Sequence, residues 1–212
     1  LKRIGDLTGA HAGAEKALEE ILHAGRVLPA EGWWRRLLGG APSGSCETFL
    51  FRVLEQVSAR EQGRRDSGYS LETPVRPATA ALEKSAQALA KDLQALHKPM
   101  RALIAVLGTM LAEGAQTYSE ETKKRFSGAI QGLEIRASTV RSWVQALDSV
   151  TAPEPAAEMV SWLAVEREGG QTLDIGLFRH FIDPTQAFAK AILPDVQGVA
   201  FTSATLRDGS GA

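Results

Sequence analysis

The sequence holds one cysteine, Cys46, in 212 residues, with three methionines and only 6 % aromatic residues. A single cysteine excludes an internal disulfide and a thiolate-held zinc or iron–sulfur centre, and Cys46 reads as a small buried side chain. The four histidines, His11, His23, His97 and His180, are scattered and show no metal-ligand spacing. No G-x-x-x-x-G-K-[ST], G-x-G-x-x-G, H-E-x-x-H or G-x-S-x-G stretch occurs. The chain alone therefore carries neither a phosphate-cradling loop nor a complete catalytic constellation, and no metal site. Long hydrophobic runs are missing too: nothing approaches the roughly 18 residues of a membrane span, and the opening L-K-R-I-G-D has no leader-like apolar core. The default expectation is a cytoplasmic protein with no membrane partner. Charge of one sign is also absent. A net charge of −1 and a pI near 6.5 exclude a globally basic nucleic-acid binder, leaving room for a local basic stripe.

What is present favours helix. Alanine is abundant, and it loses no side-chain entropy in a helix, whereas strands prefer the branched and aromatic residues that are sparse here. The expected fold is mainly α: a helical bundle with a long antiparallel, coiled-coil-like helix hairpin and a small C-terminal β-hairpin, helix and strand. Residues 1–28 carry Leu7, Ala14, Leu18, Ile21 and Leu22 at helical spacing, which predicts one amphipathic helix frayed at Gly5 and Gly9 and closed by Pro29. A short element E-G-W-W-R-R-L-L-G-G follows. Ser45 is placed to cap the next helix, whose inward face is Phe49, Val53, Leu54 and Val57. Residues 61–78, with two glycines, two prolines and no period, read as an extended crossing loop.

The strongest pattern comes next. Leu82, Ala86, Leu89, Leu93, Leu96, Met100, Leu103, Leu107 and Met110 alternate spacings of four and three, and Phe126, Ile130, Leu133, Ala137, Val140, Val144 and Leu147 repeat the alternation. The short polar link between them forces an antiparallel hairpin over residues 79–150, with Ser119 capping its second helix. Pro99 inside the first helix predicts a kink near residues 95–99. The chain divides into a helical domain, residues 1–150, and a β-rich segment, residues 151–212. In the latter, Gly169-Gly170 between two alternating runs predicts a β-hairpin. Asp183-Pro184 starts a helix, and Val199 to Thr202 read as a last strand.

Two basic stretches are candidates for single-stranded nucleic acid. Trp33, Trp34, Arg35 and Arg36 combine stacking rings with cations, and Arg64, Arg65 and Arg76 form a basic loop. The competing reading makes one tryptophan a lid on the bundle core and leaves the arginines solvated.

The chain closes on T-S-A-T-L-R-D-G, after an apolar strand-like run and, upstream, L-F-R-H-F-I-D-P-T with its following helix. These residues resemble the Ser-Ala-Thr motif, motif III, and the segment before it in superfamily-two ATP-dependent DNA helicases of the DinG/XPD-like branch. The resemblance implies that the preceding helices correspond to the family's arch, an insert that lies before motif III in the first motor lobe and helps enclose single-stranded DNA. It implies that Thr202, Ser203, Ala204 and Thr205 couple ATP hydrolysis to strand movement. It also implies that ATP and magnesium, the DEAH box, the arginine finger and the remaining motor domains belong to a longer bacterial parent, both ends here being cuts. The chain alone would hold no cofactor and be inactive. A rival from another class is a non-enzymatic coiled-coil scaffold or protein-interaction module built on the hairpin. On the helicase reading, a strand cut from its parent sheet exposes an edge that offers a route to a homodimer.

Overall fold

The computed structural model describes residues 5–8, 11–60, 69–154, 156–200 and 202. The architecture is mainly helical, with two long helices packed together and one three-stranded antiparallel sheet. In chain order the elements are α1 (Gly5–Thr8), α2 (Ala12–Ala24), α3 (Trp33–Leu38), α4 (Gly44–Arg60), β1 (Leu71–Pro74), α5 (Ala80–Glu113), α6 (Glu120–Thr151), β2 (Met159–Glu168), β3 (Gln171–Phe181) and α7 (Pro184–Ile192). The first amphipathic stretch is divided into α1 and α2, and a 3-10 turn at Gly25–Val27 finishes it ahead of Pro29.

The hairpin forms as its seams predict. All nine seam positions of α5 are buried, and α6 buries Phe126, Leu133, Ala137, Val140 and Leu147, with Ile130 and Val144 half-buried. Thr79 Oγ1 accepts the Leu82 N–H at 3.3 Å and Ser119 Oγ accepts the Thr122 N–H at 3.2 Å, so each helix starts on a hydroxyl cap. Pro99 is buried within the uninterrupted helix α5. Its missing N–H leaves the Ala95 carbonyl without its usual donor. At the connection, a Cβ on Gly114 would lie 2.1 Å from the Tyr118 ring, which itself stacks on Phe126 at 5.4 Å. Glycine is needed there for closeness of approach.

Helix α4 differs from expectation at its start. It begins at Gly44, whose φ of +74° suits glycine. Ser45, expected as the cap, instead has a buried hydroxyl with no partner. The reaching-back role falls to Glu47, whose Oε2 accepts the Ser43 N–H at 2.8 Å.

The expected crossing loop at 61–78 is also corrected: residues 71–74 form β1. Leu71 and Thr73 alternate inward with Glu72 and Pro74 outward, a two-residue period too short to register against the surrounding glycines and prolines. Helix α4 secures the segment that follows. The buried Gln56 amide donates to Val75 O at 3.1 Å and accepts the Thr79 N–H at 2.9 Å, while Arg60 donates to Pro74 O at 2.6 Å and to Pro77 O.

β2 and β3 form the expected hairpin. Gly169 and Gly170, at φ +55° and +81°, supply the left-handed pair that a two-residue turn needs. β1 joins the outer side of β2 in the order β1-β2-β3, so the sheet links residues 71–74 to the C-terminal strands. Its inner face, Leu71, Leu163, Val165 and Ile175, belongs to the same buried cluster as the helical seams. Helix α7 starts where Asp183-Pro184 predicts, with Asp183 Oδ1 accepting the Thr185 N–H at 3.0 Å. Of the expected last strand from Val199 to Thr202, residues 199, 200 and 202 are exposed and belong to no strand, and Phe201 lies outside the described residues. A strand exists only through a hydrogen-bonded neighbour, and the described residues of this run are not part of the sheet β1-β2-β3.

Candidate functional site

The four motif residues at the end of the chain come first. Thr202 is described and exposed; Ser203, Ala204 and Thr205 lie outside the described residues, as do Arg64 and Arg65.

The tryptophan–arginine stretch forms α3. Trp33 and Trp34 meet edge to face with centroids 4.9 Å apart, both half-buried against the main core. Arg35 is exposed. Arg36 is engaged: its Nε donates to Glu47 Oε2 at 2.9 Å, its Nη2 to Glu47 Oε1, and its Nη1 to the Glu31 carbonyl at 2.9 Å. This bidentate fork is the geometry in which arginine binds a carboxylate most strongly. Glu47 is 2 % exposed. Its carboxyl is held below the ordinary range, first by the hydrogen bond from Arg36 and then, against the opposing effect of burial, by the Ser43 N–H and the Arg36 charge. The hydrogen bond to Glu47 likewise raises the Arg36 guanidinium. The pair ties α3 to the start of α4.

Arg76 is engaged as well. Its Nη1 donates to Pro153 O at 3.0 Å, and its Nη2 to Ala152 O and, at 3.5 Å, to Ser149 O. The cation thus sits on the unpaired carbonyls at the end of α6, where the helix dipole favours positive charge. Glu47 and Arg60, whose partners flank Arg76, are thirteen residues apart on α4, about 20 Å at 1.5 Å per residue. The structure therefore does not bring Arg36 and Arg76 into one basic patch; each closes a different joint of the helical body.

Cys46 lines an apolar recess of about 310 Å³ with Leu28, Phe49, Leu93, Trp143 and Leu177. Burial, then the neighbouring Glu47 charge, pushes the thiol up to about 11. At pH 7.5 the thiolate fraction is expected to be a few hundredfold below that of a free cysteine, and the rate of disulfide-reagent labelling at least about tenfold lower, because a more basic thiolate is also the better nucleophile. Labelling in the native and urea-unfolded chain checks this: the unfolded thiol should react at the ordinary rate. Among the described residues, no cluster of three or more His, Cys, Asp or Glu side chains is arranged to hold a metal ion, and no helix is long and apolar enough to cross a membrane.

Sequence reading did not single out an aromatic group on the outer face of the sheet. Trp162 stacks on Phe178 at 5.6 Å and meets His180 edge-on at 5.1 Å. The signal was available in the two-residue alternation of V-S-W-L-A-V-E and of G-L-F-R-H, where inward Leu163, Val165 and Leu177 alternate with outward Trp162, Phe178 and His180. No protein-family model, curated protein or solved structure matches the chain.

Proposed function

We propose that the chain is the arch-type helical insert of a DinG/XPD-like ATP-dependent DNA helicase, together with the return segment into the first motor lobe. The observation that carries this reading is the run V-A-F-T-S-A-T-L-R-D-G after the D-P-T helix. The order of elements supports it: a long helix hairpin, then a β-hairpin, then an Asp-capped helix that delivers the chain to the Ser-Ala-Thr residues. In this role Ser203 and Thr205 act as small hydroxyl relays between a nucleotide site and a DNA site, with Thr202 and Ala204 allowing close approach. The chain has no phosphate loop or DEAH box of its own, so ATP and magnesium would be held by the parent's motor lobes.

The arch would contact single-stranded DNA weakly, through the exposed Arg35 and the half-buried Trp33 and Trp34 beside it. Fluorescence anisotropy of a labelled oligonucleotide at low salt is expected to rise with protein concentration and to fall back as salt is added. Unchanged anisotropy at high protein concentration removes the DNA contact from the arch. The direct test of the assignment is the coding sequence around the chain, which must contain a DEAH-like motif upstream and a Q/H-x-x-G-R-x-x-R-type motif downstream.

The scaffold reading draws on one observation. Trp143, 45 % exposed, stands between two apolar recesses along the hairpin, with Leu22 and Leu28 beside it. It provides an alternative use for the hairpin but does not explain the terminal motif.

A further inference from the structure

Strand pairing fixes what the outer face of the sheet presents. Leu71, Thr73, Leu163, Val165 and Ile175 are buried, so the alternate positions point away from the helices. Residues directly opposite one another share a face. The outer face therefore carries one row of Pro74, Trp162 and Phe178, a second of Glu72, Ala164 and Gly176, and a third containing Glu166 and Asp174; Val160 and His180 extend the aromatic end. Ala164, buried at 3 % exposure, and Gly176 form a strip of small residues between an aromatic ridge and carboxylates. The Phe178 ring leans over that strip, since a Cβ on Gly176 would lie 3.2 Å from it.

Glu72, Glu166 and Asp174 are all exposed, and none forms an ion pair among the described residues. Glu166 and Asp174 are direct cross-strand neighbours, an arrangement of like charges that destabilises a sheet by itself. Asp174 spends one oxygen on the Ile175 N–H at 2.8 Å and keeps the other open.

From this juxtaposition of Trp162, Phe178 and His180 with Glu72, Glu166 and Asp174, the geometry points to a docking face for an arginine-bearing segment of a protein partner. A guanidinium stacks on an indole or phenyl face, and its planar fork suits a carboxylate, so arginines spaced along one segment can use the ridge and, four residues or about 13 Å along the strands, the acidic row. Their charge would also relieve the repulsion between Glu166 and Asp174. Single-stranded nucleic acid could use the rings, but its phosphates would meet three carboxylates. Nothing in this surface depends on the motor reading.

The test titrates hexa-arginine peptide into the whole chain at low salt, following the backbone amide signals of Ala164 and Gly176 and the Trp162 indole by NMR. These signals are expected to shift together. In the E166Q/D174N variant, the dissociation constant should rise about tenfold or more, the size expected for losing a cation's carboxylate partners. A twenty-residue oligothymidylate should leave the signals in place. Because both substitutions are on the exposed face and remove like charge, the variant should unfold at or above the wild-type temperature, which separates lost binding from lost fold. Equal peptide affinity in the variant, or peptide shifts confined to other acidic surfaces, overturns the inference. Movement of the same three signals by oligothymidylate overturns it in favour of a nucleic-acid face.

Discussion

Replacing Leu103 with alanine is expected to lower the unfolding free energy by about 3 kcal/mol, the middle of the range for truncating a fully buried leucine. Leu103 has no exposed surface and lies on the α5 seam, one turn before the equally buried Leu107. The loss combines the transfer energy of three carbons with a cavity that neighbouring helices cannot close, because α5 is clamped by α6 on one side and by α2 and α4 on others. Ile135 on α6 is the control: it is 62 % exposed, and its alanine variant should change stability by less than about 0.5 kcal/mol. Urea unfolding followed by helical ellipticity measures both. Similar small losses at the two sites would mean that α5 is not packed along its seam.

Substituting Glu47 with glutamine is expected to cost about 2 kcal/mol at pH 7, since it removes a charge-assisted fork from a buried position and leaves the Ser43 N–H with a weaker acceptor. The pH dependence has a definite sign. The folded Glu47 carboxyl is held below the ordinary glutamate value, so its contribution is complete above the unfolded value of about 4.3. That contribution disappears as the pH falls through the lower folded value. Wild-type stability should therefore fall on acidification in the region below about pH 4, and the acid limb of the E47Q variant should be shallower. Parallel acid limbs for the two proteins would show that Glu47 stays ionised, or fails to ionise, equally in folded and unfolded chains.

The seams of α5 and α6 were legible because burial along a long helix repeats every three to four residues, and nine positions in phase leave little room for another reading. The Gly169-Gly170 turn and the Asp183 cap were legible for a different reason: each is a local requirement met by particular residue types. β1 was hidden because four residues contain only two inward positions, and its partner β2 lies some ninety residues away in the chain. The described residues of Val199 to Thr202 are in no strand for the converse reason. The run's residue types suit a strand, but pairing is supplied by a neighbour and not by the run itself.

The site was less legible than the fold. Arg36 and Arg76 look alike in sequence to arginines that meet phosphates, and only tertiary placement shows one forked onto Glu47 and the other seated on the end of α6. Glu47 stands in an ordinary-looking helix start, S-C-E-T, and nothing local marks it as buried. The outer face of the sheet became visible only when register placed Glu166 opposite Asp174 and Trp162 beside Phe178.

The central claim is that these helices and the Ser-Ala-Thr residues belong to a DNA motor. Its most direct test is a strand-displacement assay on the protein encoded by the whole reading frame that contains the chain, comparing wild type with S203A/T205A. The proposed function predicts ATP-dependent displacement by the wild type, and a variant that still hydrolyses ATP but displaces little strand. Displacement unaffected by the substitutions, or none by either protein, would contradict it.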